Sequence, residues 1–146
     1  MNRILSVLLA LAVSATLVVL TANTAYASCT DATLTGNYAV IGPGFSNTHF
    51  VPGSSDVPFA VVGVFTFNGS GKIDFSFTTA ANGAILQGGT GSGAYTVASD
   101  CTGSISFTSG DASGVNFNTV IIGDGAEIFG INTSRGNTQT FDAKKQ

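Results

Sequence analysis

Few residues of this chain are of a kind that performs chemistry. Only 9 % of its 146 residues are charged, and His49 is the sole histidine. Its imidazole is the one side chain whose ordinary pKa lies near neutrality. A Ser–His–Asp arrangement would therefore have to use His49, oriented by Asp56 or another acid. Asp56, Asp100, Asp111 and Asp124 fall in turn-like stretches, where Asp normally bonds its own backbone. Glycosidic chemistry needs two carboxyl groups about 5–10 Å apart in a cleft, and scattered turn acids do not suggest one. Asp124 and Glu127 could share a cation, but the chain has no D-x-[DN]-x-[DN]-G calcium loop. Gly89–Ala94 fits G-x-G-x-x-A, yet Tyr95-Thr96-Val97 follows as a strand, where a dinucleotide site needs a helix. Neither a G-x-S-x-G elbow nor a phosphate-binding G-x-x-x-x-G-K-[ST] loop occurs. The expectation is no catalytic residue, no metal and no cofactor.

Two further groups carry information, Cys29 and Cys101, the only cysteines. Their meaning depends on where the protein goes. Met1-Asn2-Arg3 supplies one positive charge, Ile4–Leu20 is almost wholly apolar, and Ala25-Tyr26-Ala27 ends the segment. That order reads as a secretory signal over residues 1–27, cleaved after Ala27. The 17-residue run lies at the low edge of what spans a bilayer, roughly 17–25 residues. A lipid anchor on Cys29 is a further alternative, weakened by Tyr26 where such signals carry an aliphatic residue. The expected location is secreted or periplasmic, with no membrane span after cleavage. In an oxidising compartment two cysteines read as a Cys29–Cys101 disulfide, since one histidine cannot complete a four-ligand zinc site.

Residues 28–146 then form a single expected domain, with the bases Lys72, Arg135, Lys144 and Lys145 against eight acids, so 4 − 8 = −4. Two of those bases are near the end of the chain, so nucleic acid is excluded as a partner. Alternation dominates this region. Ile73, Phe75 and Phe77 share one face of 72–79, Ile105 and Phe107 one face of 103–108, and Val115, Phe117 and Ile121 one face of 115–122. Period two over short segments separated by Asn-Gly, Ser-Asp and Gly-Asp pairs predicts antiparallel strands. They are expected near 36–41, 59–67, 72–79, 84–89, 92–98, 103–108, 115–122, 126–132 and 137–142. Sequential hairpins favour an all-β meander closing into a small barrel of eight or nine strands, calycin-like or allene oxide cyclase-like. A two-sheet sandwich is the alternative.

Phe59–Phe67 is apolar on both faces. Its outer face packs beneath the Gly42–Pro58 connection, with Phe45 and Phe50 as cover, or it stands open to a partner. Thr35–Val40 and Ser92–Val97 both place Gly before an x-Tyr-x-Val strand, which reads as a kinked strand start burying one tyrosine each.

Thr33-Leu34-Thr35-Gly36-Asn37-Tyr38 resembles the first strand of the calycin barrels, where lipocalins carry Gly-x-Trp and avidins Leu-Thr-Gly-x-Trp. The resemblance implies a barrel closed by a late arginine stacked on that ring, here Arg135 over Tyr38. It implies no biotin site, since the avidin pocket is walled by tryptophans and this chain has none. Over a longer stretch, Cys29–Tyr38, Val62–Gly71 and Thr90–Gly103 are similar to small exported bacterial proteins of uncharacterised function, which implies no activity.

The resulting expectation is a non-enzymatic exported barrel binding a small apolar ligand, with Tyr38, Phe75, Phe77, Tyr95, Phe107 and Phe117 as the candidate lining. A surface or matrix protein that interacts or self-associates through the Phe-rich strand is the alternative. A cavity-type isomerase or cyclase is the third.

Overall fold

The structure is a computed structural model that describes residues 28–46 and 57–146. Alternation becomes eight strands, β1 (Thr35–Ser46), β2 (Val57–Asn68), β3 (Lys72–Ala81), β4 (Ala84–Val97), β5 (Thr102–Gly110), β6 (Asn116–Ile122), β7 (Glu127–Asn132) and β8 (Asn137–Lys145). Each pairs antiparallel with the next, and β8 returns to β1 to close the barrel. Closure leaves no unpaired edge. The sandwich alternative is thereby excluded. No α-helix occurs among the described residues.

Two strand boundaries differ from expectation. The segments 84–89 and 92–98 are one 14-residue strand, β4. Gly89, Gly91 and Gly93 inside it do not turn the chain. A methyl at Gly89 would meet the Phe77 ring at 2.7 Å, and one at Gly91 would meet Ala112 at 2.6 Å. These glycines are places of close approach, and the ladder slips at bulges between Phe77 and Thr79 and between Ser92 and Gly93. The second difference concerns the Gly42–Pro58 connection. β1 runs on to Ser46 and β2 begins at Val57, so Phe45 is a strand residue paired with Pro58. Phe45 is 55 % exposed and does not cover β2. His49, Phe50 and Asp56, and the signal-like residues 1–27 with Ala27, lie outside the described residues.

One end of the barrel is fastened by the start of the domain. Asp31–Thr33 forms a 3-10 turn, and Thr30 and Thr33 cap each other. The Val97 N–H donates to Asp31 Oδ1 at 2.7 Å, and Leu34 is buried beneath the turn. Cys29 and Cys101 form the expected disulfide, with Cα atoms 5.0 Å apart. Cys101 occupies the left-handed region at φ +64°, the third residue of a Ser99–Cys101 hairpin loop. A type I turn followed by a left-handed residue is a common three-residue connection, usually with Gly there. Here Cys101 takes that position, its N–H donating to the Ala98 carbonyl at 3.0 Å, and carries the crosslink. The chain-entropy model assigns closure of a 72-residue separation roughly 4 kcal/mol at most.

Candidate interaction surface

The six residues expected to line a ligand site all belong to the interior. Tyr38, Phe77, Tyr95, Phe107 and Phe117 are at most 4 % exposed, and Phe75 packs half-buried against the same cluster. Three rings absent from that expectation join them. Phe65 meets Phe75 at 4.6 Å, Phe107 at 5.9 Å and Phe141 at 5.2 Å between centroids. Phe67 bridges Tyr38 at 5.2 Å and Tyr95 at 4.9 Å, edge to face. Phe117 closes on Phe141 at 5.0 Å, and Phe75 stacks on Phe77 at 4.6 Å. These spacings are those of favourable aromatic pairs, so the rings fill one another's space. Of the six, Phe75 borders a shallow hollow of about 540 Å³ shared with Thr66, Asp74, Thr90 and Ser109.

The two tyrosines serve the closed end. The Tyr38 hydroxyl donates to the Gly125 carbonyl at 2.6 Å. The Tyr95 hydroxyl lies 2.8 Å and 3.0 Å from the carbonyl oxygens of Asp31 and Leu34. Burial pushes both phenols above their usual ionisation range, and for Tyr38 the nearby Tyr95 adds to it. The cation over the Tyr38 ring is Lys145, 5.9 Å from its centroid. Arg135 stands in the β7–β8 turn, at the opposite end of β8 from Lys145, so the arginine implied by the lipocalin resemblance is not the ring's partner.

The larger concavity lies on the outside. Along β2 the phenylalanines Phe59, Phe65 and Phe67 point inward, leaving Pro58, Ala60 and Val62 exposed. The register continues this apolar face around the wall. Val62 pairs with Ile41, Ile41 with Asp142, Asp142 with Phe129, Phe129 with Val120 and Val120 with Thr102. One step along, Thr140, Ile131, Asn118 and Ser104 make a parallel row. These rows border an open groove of about 940 Å³ reaching from Ile41 and Pro43 to Thr96 and Ala98. Ile41 is 62 % exposed, Ile131 54 %, Val120 49 % and Phe129 42 %, a contiguous apolar surface of the kind that marks contact sites.

The wall is hollowed there for a reason visible in its inward row. Gly103, Thr119, Gly130 and Phe141 are successive partners across β5–β8. A methyl at Gly130 would overlap the Phe141 ring, and one at Gly103 would sit 2.9 Å from Thr119 Oγ1. With no side chain to hold it out, the strand lies directly on the core, and the outer surface sinks with it.

Charge is sparse but not absent in this groove. Lys144 Nζ is 3.1 Å from Glu127 Oε1 and 3.7 Å from Asp142 Oδ2, and the hydrogen bond to Glu127 holds its ammonium above the usual lysine range. Asp142 Oδ1 is buried without a hydrogen-bond partner. Among the described residues no group of three or more His, Cys, Asp or Glu is placed to hold a metal ion. Compared with protein-family models, curated proteins and solved structures, the chain matches none.

Proposed function

We propose that this protein is an exported, non-enzymatic interaction protein whose contact surface is the apolar groove on the outside of the barrel. The observation that carries this reading is where the apolar surplus lies. The interior rings are packed against one another, whereas Ile41, Val120, Phe129 and Ile131 stand together, 42–62 % exposed, around a concavity of about 940 Å³. An apolar patch of this size is costly to leave in water and is the usual mark of a partner site. The disulfide, which persists in oxidising compartments, and the signal-like residues 1–27 support export to the periplasm or the medium.

Nile red fluorescence tests the location of the site. The purified protein should enhance and blue-shift the dye, and Phe129→Ser with Ile131→Ser should abolish the effect. Phe117→Trp, which would obstruct a ligand inside the barrel, should leave it unchanged. Dye uptake lost in Phe117→Trp and kept in the outer double variant would move the site to the interior and overturn the reading.

A further inference from the structure

We infer that the groove takes an extended peptide segment that places an arginine or lysine between apolar side chains. This rests on the outer-face reading above and names its partner. Asp142 is the one acid in the apolar row, set between Phe129 and Ile41 on the neighbouring strands. Its side chain remains about one-third open (35 %) and shares Lys144 with Glu127, so two carboxylates divide one ammonium. Asp142 Oδ1 accepts no hydrogen bond. Because Oδ1 is enclosed by the protein, the open part of the side chain is what a ligand meets, and there Lys144 stands only within 3.7 Å of Oδ2. A guanidinium or ammonium from a partner is therefore the group that pairs with this carboxylate.

The same charge argues against a second copy of this chain as occupant. A two-fold pairing of the groove with itself would bury two Asp142 carboxylates in one apolar seam whose lining holds no lysine or arginine to meet them, and the sequence carries a net charge of −3. A small alkyl cation would reach Asp142 but leave most of the groove open. The lining runs over six neighbouring strands, from β4 to β1. Five inter-strand steps of about 4.8 Å give a span of up to about 24 Å, the length of roughly seven extended residues. In such a segment alternate side chains face the groove, so apolar residues two before and two after the cation meet the Phe129 and Ile41 flanks.

The probe is Ac-Thr-Ile-Thr-Arg-Thr-Ile-Thr-NH2, with a second peptide carrying neutral citrulline in place of the arginine. Backbone amide shifts of Ile41, Val120, Phe129, Ile131 and Asp142 should follow the arginine peptide. Citrulline should weaken binding at least about tenfold, the scale of a charge-assisted hydrogen bond. In Asp142→Asn the two peptides should bind alike. Ile131→Lys, which changes an exposed position and leaves the core intact, should abolish arginine-peptide binding. Equal affinity for the two peptides in the unaltered protein would overturn the inference while leaving the outer-face reading standing. So would a dimer, seen by analytical ultracentrifugation, that Ile131→Lys dissociates. Arginine-peptide shifts confined to interior residues, or none at millimolar peptide, would overturn it as well. In either of those cases the Nile red result decides separately whether the groove binds anything.

Discussion

Across β3, β4 and β5 the outward side chains include Asp74, Ser76, Ser92, Thr96 and Ser104, whereas across β6, β7 and β1 they include Val120, Phe129, Ile131 and Ile41. Both halves of the wall are held from inside by the same alternation of buried apolar residues. On the polar half, cross-strand hydroxyls pair with one another, Ser92 with Ser109 at 2.5 Å and Thr96 with Ser104 at 3.0 Å. That is the ordinary solvent face of an antiparallel sheet. On the apolar half nothing in the described residues occupies the groove. Ile85 and Leu86 stand exposed at the start of β4, but from Gly89 onward the polar half closes without outward Ile, Val or Phe side chains, so closure itself does not require them on the apolar half. On the outer-face reading proposed above, their place is explained by contact with a partner.

The comparison breaks most sharply if inward and outward residues turn out to be equivalent. Phe65→Ala removes a ring that is 1 % exposed and touches four others. Chemical denaturation should show a loss of about 3–5 kcal/mol. Phe129→Ala, on the same barrel but 42 % exposed, should cost less than about 1 kcal/mol. Gly130→Ala should also be expensive, about 1–3 kcal/mol, because the new methyl must displace the Phe141 ring.

Next in size is the crosslink. Reduction, or Cys101→Ser with Cys29→Ser, should lower stability by about 2–4 kcal/mol in the same assay. The loss should fall on the closed end, where amide exchange of Val97 and Leu34 should rise before that of Ile131. Uniform acceleration around the barrel would mean that the disulfide supports the whole wall and not one end.

Alkaline pH probes the same end. Folding keeps the Tyr38 and Tyr95 phenols protonated above the range in which a free tyrosine ionises, near 10.0. The folded state therefore holds more protons than the unfolded one in that range. Stability is intact below about pH 10 and falls as pH rises beyond it. Absorbance at 295 nm of residues 28–146 should show both phenols, Tyr38 and Tyr95, ionising only with the loss of far-ultraviolet strand signal. Two phenols titrating ahead of unfolding would show that the closed end is wet.

Much of this was legible in the residues. Ile73, Phe75 and Phe77, or Ile105 and Phe107, identify their strands because period two is a local property. Cys29 and Cys101 identify their bond because two thiols and a single histidine offer no four-ligand metal set as an alternative. The continuity of β4 is not legible at its glycines, since a glycine that turns the chain and one that lets a ring approach are the same residue in sequence. The groove was harder still. Val120-Ile121-Ile122 and Ile128-Phe129-Gly130-Ile131 do show apolar residues on both faces, the one signal that could have raised it. But Ile41, Asp142, Phe129 and Val120 become neighbours only through the registers of four strands, and register is a long-range property.

The smallest expected effect is the one that separates a contact face from a structural one. Ile131→Thr keeps β-branching, so the strand preference of the position is nearly unchanged. The replaced side chain is already 54 % exposed and lies between Asn118 and Thr140 in the outer row. Little apolar area returns to water on unfolding, and the change in stability should stay within about 0.5 kcal/mol. Nile red affinity should nonetheless fall severalfold, because the groove loses one of its four exposed apolar walls. A loss of stability beyond about 1.5 kcal/mol would mean that the outer row packs upon itself and holds the wall together, and the contrast between the two halves would then be one of folding and not of contact.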